Sequence, residues 1–293
     1  MIIPFWSVLA LSAAMVMSAI PLVQEKFKAD GFALALWNKI VVVIIMIPFM
    51  ISFGFPQDWQ FYFYLMITAV MYSISDVVYF RTVPIIGSGV MTRLIPASVV
   101  ITFFLWFLVE PSLIKNYIDP WQKGIAVIAI LALFLYSAMH VKKCNVTWQA
   151  VRKIWPVIFV ACTGAIFSKL ALNHADTGNQ GPFAYIFIQS IMMAGFLFLY
   201  YLIKKPVTRR TMLSRNTLTT AIVMGIVSSL PIFLKMKALQ LADNPALVSM
   251  LVITDSLWVL LIYRLIGRKE NANIWAGLGI VASAFLIVLI KSF

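Results

Sequence analysis

The sequence predicts an all-α membrane protein with ten transmembrane helices, arranged as two inverted five-helix repeats. Three observations lead to this fold class: the composition, the spacing of the apolar segments, and a similarity between the two halves of the chain. Of the 293 residues, 62% are hydrophobic and only 11% are charged. Such a mixture has too few polar side chains to cover a water-soluble protein, and it is far too apolar for a disordered chain. The lipid bilayer is therefore the expected solvent.

Apolar segments recur along the whole chain, each about as long as the roughly 20 residues that a transmembrane helix requires. The ten segments are 3–23, 32–53, 59–80, 84–109, 120–139, 154–173, 182–203, 216–235, 244–266 and 273–290. They should be helices, because backbone polar groups in lipid need internal hydrogen bonds and the alternating pattern of a β-barrel is absent. The connections are too short to hold a domain, so any function must lie in the helices.

Residues typical of helix ends mark the boundaries in order. Segments 5, 7 and 9 begin where a capping residue or a glycine precedes a proline, at Asp119-Pro120, Gly181-Pro182 and Asn244-Pro245. Aromatic residues near other ends are the expected anchors at the membrane interface. These anchors are Trp59, Trp121, Trp155, Tyr200, Tyr201 and Trp275.

The net charge of +13 comes from 23 Lys and Arg against 10 Asp and Glu. Fifteen of these cations fall on the connections that follow segments 1, 3, 5, 7 and 9, whereas five fall on the opposite side. The positive-inside rule then places the first set in the cytoplasm and both termini outside. The excess charge is thus a topology signal and does not call for a nucleic acid partner. The remaining three, Lys39, Arg93 and Lys169, are assigned to the apolar segments, away from the segment ends.

The two halves of the chain resemble each other. Segments 3–5 and 8–10 each combine a short polar break, a long apolar segment that ends near a glutamate, and a final segment that opens with Trp and Gly. We therefore divide the chain into repeats 1–140 and 141–293, which form one integral unit. Because each repeat has five helices, the second must enter the membrane with the opposite orientation, as in many secondary transporters.

These features resemble the ten-helix EamA-type branch of the drug/metabolite transporter superfamily, over essentially the whole chain. The matching residues are Pro96, Glu110 and Gly124 in the first repeat, and Ala238-Leu239, Glu270 and Gly277 in the second. The chain departs from the family pattern at Asp255, where the family has its second proline. The resemblance implies a secondary transporter of small metabolites, often an exporter, with a central cavity. It also implies cytoplasmic termini, in conflict with the charge distribution, which we follow here.

Ionisable residues at mid-membrane depth are costly, and they are the first candidates for a substrate site. Arg93 and Asp255 each lie about 15 Å into their helices, on pseudo-equivalent faces of the two repeats. They can bind the opposite charges of a zwitterionic substrate, with Asp255 also exchanging a coupling proton, or they can form a permanent pair that fixes the packing of two helices.

The remaining candidates each have two interpretations. Asp76 lines the mouth of the cavity or pairs with Arg81 or Arg264, and Lys169 is a cavity cation or extends to the interface. Tyr72 and Trp106 belong to an aromatic box or to the core. Pro96 and Pro231 act as hinges or as static bends. Lys235 and Lys237 are expected to flank the break between segments 8 and 9.

The sequence thus predicts a secondary transporter that moves a small polar metabolite, such as an amino acid, by alternating access in a bacterial inner membrane. No cofactor is expected, although transport can be coupled to H+ or to a counter-substrate, and the chain acts as a monomer or a homodimer. The alternatives are transport of an organic anion, a phosphate or an organic amine, and lipid handling. An enzyme is not expected, because no catalytic motif is present.

Overall fold

The computed structural model describes residues 4–27, 29–86, 88–140, 148–176, 178–265 and 273–292. Within these ranges the protein is all-helical, with no strand. The α-helices are α1 (Phe5–Met17), α2 (Ala19–Phe27), α3 (Gly31–Phe53), α4 (Trp59–Ile86), α5 (Ser88–Val109), α6 (Ile114–Ile118), α7 (Trp121–His140), α8 (Trp148–Asn173), α9 (Gln180–Lys204), α10 (Arg209–Met212), α11 (Arg215–Leu241), α12 (Pro245–Val252), α13 (Asp255–Leu265) and α14 (Ile274–Ser292).

Seven helical stretches in the described ranges are long and apolar enough to cross a membrane. A further pair, 95–109 and 111–118, is bent by 111° and would make eight if it forms one span. Two shorter apolar helices lie near the ends of the chain, at Phe5–Met17 and Trp275–Ile290. Large apolar side chains such as Ile51, Leu108 and Trp275 are exposed on the outside of the bundle. These features are compatible with an integral membrane protein.

Three helices extend about six residues further than the sequence predicts. α4 continues to Ile86, through the predicted connection after residue 80, and α11 continues to Leu241 instead of ending at Lys235. α8 begins at Trp148 instead of residue 154. The expectation that Lys235 and Lys237 flank a helix break is therefore wrong, since both lie inside α11. A helix that continues past the apolar stretch keeps its backbone hydrogen bonds, which a short loop at this depth would leave unpaired.

One end of the bundle is held together by hydrogen bonds between connections. We call it the acidic end, after Asp58, Asp176 and Asp243. His174 Nδ1 lies 2.7 Å from Asp58 Oδ2, which joins the connection after α3 to the connection after α8. Gln240, near the end of α11, donates to the backbone carbonyl of Asp176.

The opposite end carries many of the described cations, and we call it the basic end, after residues 204–215. The Trp37 indole in α3 donates to the carbonyl of Met212 over 2.9 Å. The Asn216 amide at the start of α11 donates to the carbonyl of Phe27 at the end of α2, also over 2.9 Å. Helices α3, α9 and α11 therefore each run from one end to the other.

Helices from the first part of the chain pack mainly against helices from the second. The extensive packings are α4 on α8, α3 on α9, α1 on α11, α3 on α11 and α7 on α14, followed by α5 on α8, α4 on α9, α5 on α12 and α1 on α12. A Cβ on Gly279 of α14 would clash with Ser137 of α7, so this small residue serves packing within the chain.

Candidate functional site

Polar side chains follow one face of α4, a helix that is apolar over most of its length. Thr68, Tyr72 and Asp76 are spaced four residues apart, and Tyr79 follows three residues later. This spacing places all four on one side of the helix. We call this set the polar face of α4. Thr68 is fully buried and the other three are partly buried, so the face is turned toward the neighbouring helices.

The part of this face nearest the acidic end forms a hydrogen-bonded network with α8 and α9. Gln189 Nε2 of α9 lies 3.1 Å from Thr68 Oγ1 and 2.9 Å from the hydroxyl of Tyr185. The Tyr185 hydroxyl lies 2.6 Å from Ser168 Oγ of α8. Three helices thus share one polar network at membrane depth, where each unpaired polar group would be costly.

Tyr72, which the sequence assigns to the site, packs directly on α8. A Cβ built on Gly164 would lie 2.7 Å from the Tyr72 hydroxyl oxygen and 2.8 Å from Cζ. No side chain can be that close, so the absence of one at Gly164 makes room for the phenol. The same hydroxyl approaches Ser168, which links Tyr72 to the network.

Asp76 forms an ion pair with Lys39 of α3, with Asp76 Oδ2 3.0 Å from Lys39 Nζ. The side chains are 25% and 14% exposed, respectively. The expected partners Arg81 and Arg264 are thus replaced, in the described part of the chain, by a lysine deeper in the membrane. Asp76 lies ten residues before the end of α4, about 15 Å from the basic end. Removing a charge pair from water at this depth costs free energy, so its presence indicates a function.

Asp255 lies at a break in the helical stretch that begins at Pro245. α12 ends at Val252 and α13 begins at Asp255 itself. The Thr254 hydroxyl donates to the carbonyl of Leu251 over 2.6 Å, and the Ser256 hydroxyl donates to that of Ile253 over 3.0 Å. These two bonds satisfy carbonyls near the break. Such interrupted helices are where membrane transporters place binding groups.

The described surroundings of Asp255 include two groups that the sequence does not assign to it. Asp255 is within electrostatic range of Lys235 in α11 and of Tyr79 on the polar face of α4. The predicted partner Arg93 falls in α5, but its side chain lies outside the part of the chain that the structure describes. Tyr79 is also within electrostatic range of Asp76, so both carboxylates lie near this phenol.

Two other predicted site residues are buried, in α8 and in α5. Lys169 is 6% exposed, and its ammonium donates to the carbonyl of Gln240 over 2.9 Å. That carbonyl belongs to the last turn of α11, where a cation is favoured by the helix dipole. Trp106 is 2% exposed in α5, and its indole Nε1 has no hydrogen-bond partner among the described residues.

Neither predicted hinge interrupts its helix. Pro96 lies inside α5 and Pro231 inside α11, and both helices continue through the proline. The breaks lie instead at Ser18, between α1 and α2, and at residues 253–254. Among the described residues, no group of three or more His, Cys, Asp or Glu side chains is placed to hold a metal ion.

Sequence reasoning missed Thr68, Tyr79, Ser168 and Tyr185. The spacing of four residues through Thr68, Tyr72 and Asp76 could have identified the face of α4, because it is a helical repeat of polar residues in an apolar segment. Contacts with Ser168 and Tyr185 leave no such pattern, since they depend on which helices are neighbours.

No protein-family model and no curated protein matches the chain. Among solved structures, the chain is similar to one described only as the crystal structure of a protein, with a TM-score of 0.70 and 13% sequence identity. The similarity covers 100% of this chain and 100% of that one. At such an identity the similarity shows the fold alone: the helical arrangement occurs from end to end in another protein.

Proposed function

We propose that the protein is a secondary transporter with ten membrane spans in two inverted five-helix repeats, which moves a small zwitterionic metabolite such as an amino acid. The observation that carries this proposal is the cluster of two oppositely charged pairs at membrane depth. Lys39 and Asp76 form an ion pair, and Lys235 and Asp255 lie within electrostatic range of each other. Balanced charges of this kind suit a substrate that carries one positive and one negative group.

Helix packing supports the repeat. In the proposed symmetry, α1–α2 corresponds to α8, α3 to α9, α4 to α11, α5 to α12–α13, and α7 to α14. The packing of α4 on α8 then maps onto that of α11 on α1, and α4 on α9 maps onto α11 on α3. The contacts α3–α9, α5–α12 and α7–α14 map onto themselves. A pseudo-two-fold axis between the halves accounts for all of these contacts at once.

Alternating access then follows from rocking of the repeats around the charged cluster. In the described conformation the acidic end is closed by contacts between connections, including His174 with Asp58. Opening of this end would break those contacts and expose the polar face of α4. In this proposal the basic end faces the cytoplasm of a bacterial inner membrane.

The proposal is tested with purified protein in two steps. Thermal unfolding in the presence of a metabolite panel of amino acids, organic acids, amines and sugar phosphates identifies stabilising compounds. Exchange of the radiolabelled hit is then measured in proteoliposomes, at several pH gradients, for the wild type, Asp76→Asn and Asp255→Asn. The control is Asp176→Asn, which makes the same change at an exposed position of the acidic end.

We expect stabilisation by amino acids and a loss of exchange of about tenfold or more in both site variants, as expected for removal of one charged contact. Asp176→Asn should exchange like the wild type. Full exchange by both site variants would contradict the role of the charged cluster. Stabilisation by organic anions but not by amino acids would instead favour an anion transporter of the same fold.

A further inference from the structure

The amide of Gln189 is held from two sides by hydroxyl groups. Its nitrogen lies 3.1 Å from Thr68 Oγ1 on α4 and 2.9 Å from the Tyr185 hydroxyl on its own helix. Both contacts involve Nε2 rather than Oε1. An amide nitrogen has two hydrogens to donate, and these two contacts use both of them.

The direction of the bonds follows from counting hydroxyl hydrogens, since each hydroxyl has only one. Thr68 donates its hydrogen to the carbonyl of Leu65 over 2.8 Å. Ser168 donates its hydrogen to the carbonyl of Gly164 over 2.6 Å. Tyr185 then donates to Ser168 Oγ, which lies 2.6 Å away. The oxygens of Thr68 and Tyr185 are therefore left to accept from Gln189.

This arrangement turns the Gln189 oxygen away from the network. Oε1 makes no hydrogen bond in the described part of the chain, and the residue is only partly buried. Gln189 adjoins Thr68, the first residue of the polar face of α4, which continues through Tyr72 to the carboxylate of Asp76. The network thus ends in an acceptor with two free lone pairs, at the level of the membrane where acceptors without donors are disfavoured.

We propose that Gln189 Oε1 accepts a hydrogen bond from the ammonium group of the substrate and selects for N–H donors at this position. This inference rests on the proposed transport of a zwitterion, and it defines which zwitterions are accepted. A primary ammonium offers three N–H donors, and a hydrogen bond from a charged donor is a strong one. A trimethylammonium group has no donor. A 2-oxo acid places a second acceptor against Oε1, which repels it.

The experiment measures how strongly the protein discriminates between an amino acid and derivatives that lack N–H donors. Each of the twenty proteinogenic amino acids is tested for thermal stabilisation of the purified protein in detergent. Those that bind are compared with the matching 2-oxo acid and the N,N,N-trimethyl derivative. In the wild type we expect both derivatives to bind at least tenfold more weakly than the parent amino acid, as expected for one lost charge-assisted hydrogen bond.

Two variants assign the discrimination to Gln189. Gln189→Met keeps the length of the side chain but removes the amide, and we expect the discrimination to fall to within about threefold, below the effect of one hydrogen bond. The double variant Thr68→Val, Tyr185→Phe keeps Gln189 but removes both of its hydroxyl partners, so the amide is free to turn and the discrimination should fall as well. Gln180→Met is the matched control, because Gln180 begins the same helix and bonds to the carbonyl of Phe53 instead.

The outcomes separate this inference from the transport proposal. If no amino acid binds the wild type, the proposed function fails and the inference fails with it. If amino acids bind but their trimethyl derivatives bind equally well, transport of zwitterions stands and the role of Gln189 is overturned. The role is also overturned if full discrimination persists in Gln189→Met or, should that variant not fold, in the double variant.

Discussion

Gly164 is the residue on which the position of Tyr72 depends. A methyl group there would lie 2.7 Å from the Tyr72 hydroxyl oxygen and 2.8 Å from Cζ, so the ring would have to move away from α8. We expect Gly164→Ala to lower the free energy of unfolding by about 1–3 kcal/mol, the usual cost of overpacking a well-filled site. Because Tyr72 lies between Thr68 and Asp76, substrate binding should weaken too. Thermal unfolding and the binding assay measure the two effects.

Gly195 provides the control for this substitution. It lies inside α9, and a Cβ built on it meets no atom within 4 Å. Gly195→Ala should therefore stabilise the protein by roughly 0.5–1 kcal/mol, through the better helix propensity of alanine. If Gly164→Ala proved as stable as Gly195→Ala, the close packing of Tyr72 on α8 would be refuted.

At the residue scale, the sequence predicts which groups are costly in the membrane but not which groups pair. Asp76 can be identified from the sequence, because a carboxylate within an apolar segment is energetically costly and so indicates a role. Its contact with Lys39 is set by the packing of α3 on α4, which local spacing does not encode. Lys169 illustrates the same limit: its role at the end of α11 depends on the carbonyl of Gln240, on a helix distant in sequence.

At the element scale, helix starts are more predictable than helix ends. Asn244 accepts a hydrogen bond from the backbone N–H of Ala246 over 2.9 Å, as its position before Pro245 predicts. α4 and α11 instead continue beyond their apolar stretches, and the added residues of α11 include the buried Met236, Ala238 and Leu239, which hydropathy assigns to a loop. The break before Asp255 also leaves no clear mark in the sequence, since neither Gly nor Pro is present there.

Asp58, in the connection between α3 and α4, makes the stability of the protein depend on pH. The Asp58 carboxylate accepts a hydrogen bond from the backbone N–H of Gln60 and lies next to His174. The bond from Gln60, together with the weaker effect of His174, lowers the pKa of Asp58 below its ordinary value. The stabilisation from Asp58 is therefore complete above the ordinary pKa of about 4 and is lost as the pH falls through the lowered pKa.

We therefore expect the melting temperature of the wild type to fall more steeply below about pH 4 than that of Asp58→Asn, which has no carboxylate to protonate. Thermal unfolding in detergent between about pH 3 and pH 7 measures this difference. Asp176→Asn is the control, because it removes an exposed carboxylate from the neighbouring connection and should keep the wild-type slope. Identical slopes for the wild type and Asp58→Asn would contradict the assigned hydrogen bonds.

At the scale of the whole molecule, composition alone predicts a helical membrane protein, and the described helices agree with it. The pairing of helices does not follow from composition, because lipid and protein interiors are equally apolar and the hydropathy does not distinguish a lipid-facing helix from a central one. α4 shows the problem, since its central position appears only in its contacts with α3, α8 and α9. Polar residues at helical spacing do indicate a face that packs inside the protein, because lipid cannot solvate them.

The charge distribution predicts the orientation of the molecule. The basic end contains residues 204–215, whereas the acidic end contains Asp58 and Asp176. Positively charged connections are retained in the cytoplasm, so the acidic end should lie outside.

In a background that replaces Cys144 and Cys162 with serine, single cysteines are introduced at the exposed residues Gln57 and Leu213. A membrane-impermeant maleimide applied to intact spheroplasts should label Gln57→Cys at once and Leu213→Cys only after the membrane is permeabilised. The opposite labelling would overturn this orientation, and it would place the termini in the cytoplasm, as the resemblance to EamA-type transporters implies.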